Sequence, residues 1–287
     1  MKRCVPSAAI RAQLKALATS LLLLAIPIGL STQVFADPKD QADEVWPASV
    51  TAVYRISFGV FGDIGFYRFK SNLESGKYNL VADAKVDTAV LDYSAVMRSS
   101  GSLVSTELKP EKHMFRSKQD PLIGKKKRSR INMAFDDSGV KQVTFVPNKK
   151  KKRSKRNVPV TEQHLEDVLD PLSAIMALSL DSKDEPCRRT LAVFDGKRRF
   201  DLIFAPKRRE ARNVVCSVRF VPISGHRKGE ESSVITGNAE VTLRRVPKAN
   251  IVIPSRVKVP TVAGNAVLES DKVVITMPDR RRIAFRR

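Results

Sequence analysis

Apolar and polar residues alternate along most of this chain, and this period of two is the feature that most constrains its fold. In residues 50–58 the side chains of Tyr54, Ile56 and Phe58 alternate with smaller or polar ones, as in a strand with one buried face. The same pattern predicts strands over residues 66–71, 77–86, 94–107, 129–135, 140–147, 190–194, 200–205, 213–221, 233–246, 251–259 and 262–275, with a short edge strand at 116–120. We therefore predict a mainly β fold, either a curved antiparallel sheet or an open β-barrel.

Helical spacing is found in residues 161–180. Apolar side chains recur there every three or four residues, which predicts one buried stripe: Leu165, Val168, Leu169, Leu172, Ile175, Met176 and Leu180. Pro171 interrupts the stripe, and proline fits best in the first turn of a helix whose N-cap is an aspartate such as Asp170. We predict one or two short helices meeting at Asp170, packed into the hollow face of the sheet.

The first 36 residues have the three parts of a secretory signal peptide. A basic start without acidic residues precedes a short apolar run, and Val34 and Ala36 supply the small residues before a cut at Asp37. A membrane anchor is the alternative, but Pro27 and Gly29 break the run, which is shorter than the roughly 20 residues that span a bilayer. We predict a signal peptide over residues 1–36, a polar lead-in over 37–44 and a single β-rich domain over 45–287. The predicted location is the periplasm of a Gram-negative bacterium.

The chain is strongly basic. Its formal net charge is +22, and the leader holds four basic residues and no acidic one, so the remainder carries +18. The densest stretch, residues 149–156, is called the basic segment and contains Lys149, Lys150, Lys151, Lys152, Arg153, Lys155 and Arg156. Nucleic acid is not favoured as a partner, because the basic runs lack interleaved aromatic residues that could stack on bases. We predict that the basic segment either binds anionic envelope surfaces or is a solvated loop without a partner.

Two cysteines, Cys187 and Cys216, follow the leader. An even number of cysteines in an oxidising compartment predicts one disulfide, which would stabilise the fold by about 3–4 kcal/mol in the chain-entropy model. Two separate buried thiols are the alternative. Neither cysteine has a partner at the spacing of a zinc or redox motif.

No catalytic motif is present in the sequence. The three histidines His113, His164 and His226 lack metal-ligand spacing, so we expect each to be a surface or helix residue. The sequence contains no nucleophile elbow, no phosphate-binding loop and no dinucleotide fingerprint. We therefore predict a protein with no catalytic residues, no metal and no cofactor, although a site assembled from distant segments would escape this argument.

A curved sheet with a helix in its hollow forms a groove that can hold an apolar ligand. The candidates to line such a cavity are Phe58, Phe61, Phe66, Phe69 and Tyr78 from the first strands and Leu172, Ile175 and Met176 from the helix. A simple filled core is the alternative for each of these residues.

Several segments resemble a family of exported bacterial proteins, the domain of unknown function DUF3108. These segments are Tyr54-Arg55-Ile56-Ser57-Phe58-Gly59 with Ile64-Gly65, Tyr78-Asn79-Leu80, Leu169-Asp170-Pro171-Leu172-Ser173-Ala174, and residues 193–202. The resemblance covers roughly residues 45–287. It implies a periplasmic β-rich protein similar to the open, helix-plugged barrels of the lipoprotein carriers LolA and LolB. It implies no catalytic residues.

Together these observations predict a non-enzymatic protein of the cell envelope. Its cavity would bind a lipid or another apolar ligand, and its basic residues would associate with anionic envelope surfaces. The alternative is a structural or scaffolding partner of another envelope protein.

Overall fold

The computed structural model describes residues 45–147, 157–180, 185–228 and 237–286. In these ranges the chain forms fourteen strands and one α-helix. The strands are β1 Ser49–Phe58, β2 Asp63–Glu74, β3 Lys77–Thr88, β4 Leu91–Val104, β5 Glu107–Pro121, β6 Lys127–Asp136, β7 Gly139–Val146, β8 Arg189–Phe194, β9 Arg199–Glu210, β10 Asn213–Ser224, β11 Ala239–Val246, β12 Ile251–Thr261, β13 Gly264–Thr276 and β14 Arg282–Arg286. The helix α1 spans Pro171–Leu180, and a short 3₁₀ turn at Glu162–Leu165 precedes it.

All strands belong to one curved antiparallel sheet. Its order is β7-β6-β5-β4-β3-β2-β1-β13-β12-β11-β10-β9-β8, and β14 pairs with β13 beside this path. Most neighbours in the sheet are also neighbours in sequence, as expected for hairpin connections. The long pairing of β1 with β13 joins the two halves. The mainly β prediction, with an unclosed antiparallel sheet around a short helix, is confirmed.

The segment before α1 fills the gap between the two edge strands, β7 and β8. Glu166 forms an antiparallel bridge with Gly139 at the start of β7, and Leu169 forms a parallel bridge with Val193 in β8. The approach at Gly139 is close, since a Cβ atom there would lie 2.0 Å from the carbonyl oxygen of Leu165. The edge strands β7 and β8 are therefore connected through the segment before α1 and do not pair directly with each other.

The two ends of the sheet differ. One end, called the open end, is where strands β1, β3, β5 and β7 finish. The other end is called the helix end, because α1 occupies the hollow of the sheet there. The core at the helix end contains fully buried residues such as Tyr78, Leu80, Leu172 and Ile275. Toward the open end the inward-facing Tyr67, Met97 and Leu202 are only partly buried. The hollow is thus filled at one end and accessible at the other.

One strand prediction was wrong, and one strand was missed. The predicted short edge at residues 116–120 is part of β5, a 15-residue strand inside the sheet between β4 and β6. Its charged residues face outward in alternation with Leu108, His113 and Ser117, and the resulting mixed composition obscured the buried face. The strand β14 was not predicted because its arginines read as a charged tail.

Four residues, from Asp195 to Arg198, connect β8 and β9, and Asp195 accepts hydrogen bonds from the N–H groups of Lys197 and Arg198. The remaining predictions have separate outcomes. The disulfide between Cys187 and Cys216 is confirmed. The leader, the polar lead-in, the basic segment and residues 229–236 lie outside the described residues.

Candidate functional site

The N-terminus of α1 is fixed by a completely buried aspartate. Asp170 precedes the helix, and its Oδ1 atom accepts hydrogen bonds from the backbone N–H groups of Leu172 at 2.9 Å and Ser173 at 3.1 Å. These two N–H groups have no partner within the helix, so an aspartate at this position satisfies them. The sequence prediction of a helix start at Asp170 agrees with this cap.

Side chains from two strands contact the same carboxylate, and a third strand joins them through Ser173. Ser99 of β4 donates to Oδ1 at 2.6 Å, and His113 of β5 places Nδ1 2.9 Å from it. Ser173 donates to Oδ2 at 2.5 Å and accepts from the hydroxyl group of Tyr78 in β3 at 2.8 Å. This buried polar network comprises Tyr78, Ser99, His113, Asp170 and Ser173. It ties α1 to the middle of the sheet.

The network holds Asp170 in its charged form. Burial alone would raise the pKa of this carboxyl group, but the hydrogen bond and electrostatic attraction from His113, with the hydroxyl groups of Ser173 and Ser99, outweigh it. The pKa of Asp170 is therefore below its usual value. Burial raises the pKa of Tyr78, which stays a neutral donor. His113 is thus neither a surface nor a helix residue, as had been expected, because the register of β4 and β5 pairs it with Ser99 on the inner face.

The network has the residue types of a hydrolase triad but not the geometry. In a triad the serine and the aspartate contact different nitrogens of the histidine ring. Here Ser99 and Asp170 both lie against Nδ1, at 2.8 and 2.9 Å, and Ser99 donates directly to Asp170. All three side chains are also buried. The arrangement anchors a helix and does not present a nucleophile to a substrate.

A cavity of about 550 Å³ lies at the open end, on the inner side of β4 to β7. This volume is typical of small-molecule sites, which usually span about 300–1,000 Å³. The cavity, called the end cavity, is lined by Tyr93, Phe115, Ser117, Gln119, Lys127, Arg128, Ser129, Arg130, Ile131, Phe145, Val146, Pro147 and Lys197. Its wall is mostly aromatic and aliphatic, with a polar strip where the hydroxyl groups of Ser117 and Ser129 are 3.0 Å apart.

The charge of the end cavity has one sign. The basic side chains of its lining are Lys127 of β6 and Lys197 of the β8–β9 connection, because Arg128 and Arg130 alternate with the inward-facing Ser129 and Ile131 and face outward. The lining contains no aspartate or glutamate. The groove of about 500 Å³ on the outer face near β14 is different, because its basic residues face Glu210, Glu240, Glu269 and Asp271. Arg208 and Lys207 already pair with Glu240 beside that groove. The end cavity therefore combines an apolar wall with an excess of positive charge.

The space between α1 and the sheet is nearly filled. A cavity of about 40 Å³ remains there, bounded in part by Trp46, Phe69, Ile175 and Met176. Such a volume holds about one water molecule and no lipid chain. The hollow around the helix is consequently a packed core.

The structure does not bring the eight predicted cavity residues together. Phe69, Ile175 and Met176 border the small helix cavity, and Tyr78 and Leu172 are fully buried in the core. Phe66 lies under the Arg68 guanidinium group at 5.2 Å. Phe61 is 72 % exposed at the tip of the β1–β2 connection, where its ring lies 6.3 Å from that of Phe58.

The residues of the end cavity were missed by the sequence analysis. Phe115, Ser117 and Gln119 lie on β5, where the predicted short edge strand hid the inward face. A signal was available, because Phe115, Ser117 and Gln119 alternate with the charged residues Arg116, Lys118 and Asp120. The described residues contain no cluster of three or more histidine, cysteine or acidic side chains that could hold a metal ion. Among the helices of these ranges, none has the length and apolar character needed to cross a membrane.

The protein is a curved, unclosed antiparallel sheet with a helix anchored in one end and a cavity at the other. The chain belongs to DUF3108, a family of proteins of unknown function, whose model matches residues 53–271. Among solved structures it is similar to a β-barrel-like protein of the domain of unknown function DUF1849 from Brucella abortus. That likeness has a TM-score of 0.46 and 10% identity, and covers 80% of this chain and 99% of the other. No curated protein matches the sequence.

Proposed function

We propose that this protein binds an anionic amphiphile, such as a lipid with a phosphate or carboxylate head group, in the end cavity. The observation that carries the proposal is a lining with an apolar wall, the basic residues Lys127 and Lys197 and no acidic residue. The aromatic and aliphatic wall suits an acyl chain, and the two lysines suit an anionic head group.

We further propose that it acts in the periplasm. The leader pattern of residues 1–36 supports export, and the disulfide between Cys187 and Cys216 supports an oxidising compartment, where such bonds persist. In this compartment lipids and lipid-like molecules are the abundant anionic amphiphiles. The protein would then carry or sequester such a molecule.

Calorimetric titration with lysophosphatidylglycerol, a single-chain anionic lipid, tests the proposal. The wild-type protein should bind this lipid below its critical micelle concentration and bind lysophosphatidylcholine more weakly, because the second head group is zwitterionic. Inorganic phosphate alone should not bind measurably, since it offers nothing to the apolar wall.

Two variants locate the binding. Ser129→Trp projects an indole ring into the middle of the cavity and should abolish binding. Hydrogen bonds to charged groups contribute about 1.5–3 kcal/mol each, so Lys127→Glu with Lys197→Glu should weaken binding at least about tenfold. The matched control is Lys70→Glu with Lys112→Glu, which reverses two exposed charges away from the lining and should leave affinity unchanged. Equal loss in the control, or no lipid binding together with a stoichiometric protein crosslink in cells, would favour the scaffolding alternative.

A further inference from the structure

Six large apolar side chains at the open end are exposed to solvent. They are Val60 at 97 %, Phe61 at 72 %, Val90 at 66 %, Leu122 at 74 %, Ile123 at 89 % and Val262 at 73 %. All six lie in the connections between strands, where turn-forming polar residues and glycine are usual. Single exposed apolar side chains are common on protein surfaces, but a group of them at one place indicates an interaction site.

The topology places these residues in one row. They occupy the β12–β13, β1–β2, β3–β4 and β5–β6 connections. These are four neighbouring hairpins at the open end of the sheet. The last two hairpins touch, since the N–H group of Leu122 donates to the carbonyl oxygen of Val90 at 3.0 Å. Neighbouring strands are about 4.8 Å apart, so the row, called the hairpin row, extends for about 30 Å.

The helix end has no such row. Its connections include Ser75-Gly76, Ser105-Thr106, Asp137-Ser138 and Ala211-Arg212, which are small or polar. Within the described ranges, the large apolar side chains there that are more than half exposed are Val45 and Val104. Exposed apolar tips are therefore a property of one end and not of the turns in general.

Positive charge accompanies the apolar tips. Lys125, Lys126, Lys127 and Arg128 follow Ile123 almost directly in the β5–β6 connection and the start of β6. One of them, Lys126, lies 3.8 Å from Asp120, and the block as a whole keeps a positive excess. Apolar side chains next to lysine and arginine are the combination that binds the interface of an anionic bilayer.

We propose that the hairpin row docks onto the surface of an anionic lipid bilayer and inserts Val60, Phe61, Leu122 and Ile123 among the head groups. The row is one residue wide and is interrupted by glycines such as Gly62 and Gly124. A protein partner would need a contiguous complementary surface of about 800 Å² on each side. A fluid bilayer accommodates separate tips without such a surface. The end cavity lies at the same end, but the docking does not depend on its occupancy.

Vesicle binding tests this proposal. The full mature chain should bind vesicles containing phosphatidylglycerol and phosphatidylethanolamine, and binding should weaken as salt is raised and be lost on phosphatidylcholine vesicles. Phe61→Ser with Ile123→Ser removes two tips and should weaken partitioning by about tenfold or more. The matched control, Val81→Ser with Val104→Ser, removes exposed valines outside the row and should change partitioning less than twofold. Unchanged circular dichroism would show that both variants fold.

A direct reporter of insertion is also available. Ile123→Trp in a Trp46→Phe background leaves one tryptophan, because the chain contains a single native one. Its emission should shift to shorter wavelength on anionic vesicles and be quenched by brominated lipid chains. No shift, or equal partitioning of the tip variant and its control, would overturn the proposal. Ser129→Trp should still bind vesicles, so failure of the end cavity to bind lipid is distinguishable from failure of the docking.

Discussion

Replacement of Asp170 by alanine should be among the most destabilising single changes in this protein. The carboxylate accepts hydrogen bonds from two backbone N–H groups of α1 and from Ser99 and Ser173, and it faces His113 at 2.9 Å. Loss of an N-cap costs about 0.5–2 kcal/mol, and each buried polar partner left without a hydrogen bond costs about 1–3 kcal/mol. The contributions overlap, because Ser99 can still bond His113 and Ser173 can still bond Tyr78. We expect the free energy of unfolding to fall by about 3–5 kcal/mol.

Urea unfolding followed by the fluorescence of Trp46 and by circular dichroism measures this change. Trp46 borders the same small cavity as Ile175 and Met176, so it reports the docking of α1. The matched control is Asp83→Ala, which breaks an exposed ion pair with Arg68 and should cost less than about 1 kcal/mol. A cost for Asp170→Ala no larger than that of the control would refute the inference that the buried polar network anchors the helix.

Three further predictions concern acid, the disulfide and charge. The folded-state pKa of Asp170 is lowered, so its stabilising effect is present above the unfolded-state value of about 3.9 and is lost as the pH falls through the lower folded-state pKa. The stability difference between wild type and Asp170→Asn, measured by urea unfolding, should shrink as the pH falls below about 4. Cys187→Ser with Cys216→Ser should lower the free energy of unfolding by about 3–4 kcal/mol, and reductant should then have no further effect. Replacement of Lys149, Lys150, Lys151, Lys152, Arg153, Lys155 and Arg156 by serine should weaken binding to anionic vesicles at low salt, as co-sedimentation would show.

The sequence was sufficient to predict local structure where the pattern was regular. The alternation around Tyr54 and Ile56 predicted β1, and Asp170 before Pro171 predicted the start of α1. The mixed composition of β5 defeated the same argument, because Pro110 and many charged residues share the strand with His113 and Phe115. Alternation of apolar and polar residues indicates that a strand has two different faces, but it does not indicate which face lines the hollow of the sheet.

The sites depended on contacts that are distant in sequence. Ser99 is 71 residues from Asp170, and nothing near either residue indicates that they meet. The end cavity required the register of β4 to β7 and the position of the helix, which leaves one end of the hollow open. Of the residues predicted to line a cavity, Leu172 and Tyr78 are buried in the core beside the helix. The hairpin row could not be predicted from the sequence, because only the topology of the sheet brings Val60, Val90 and Ile123 to the open end.

The central claim, that the end cavity holds an anionic amphiphile, is tested most directly by native mass spectrometry of protein purified from the cell envelope. The wild-type protein should carry an additional mass that fragments to an anionic lipid or lipid-like molecule. Ser129→Trp, prepared in the same way, should be free of that mass while retaining the mass of the intact, disulfide-bonded chain. Wild-type protein without a bound molecule, or an equal adduct on both proteins, would contradict the account.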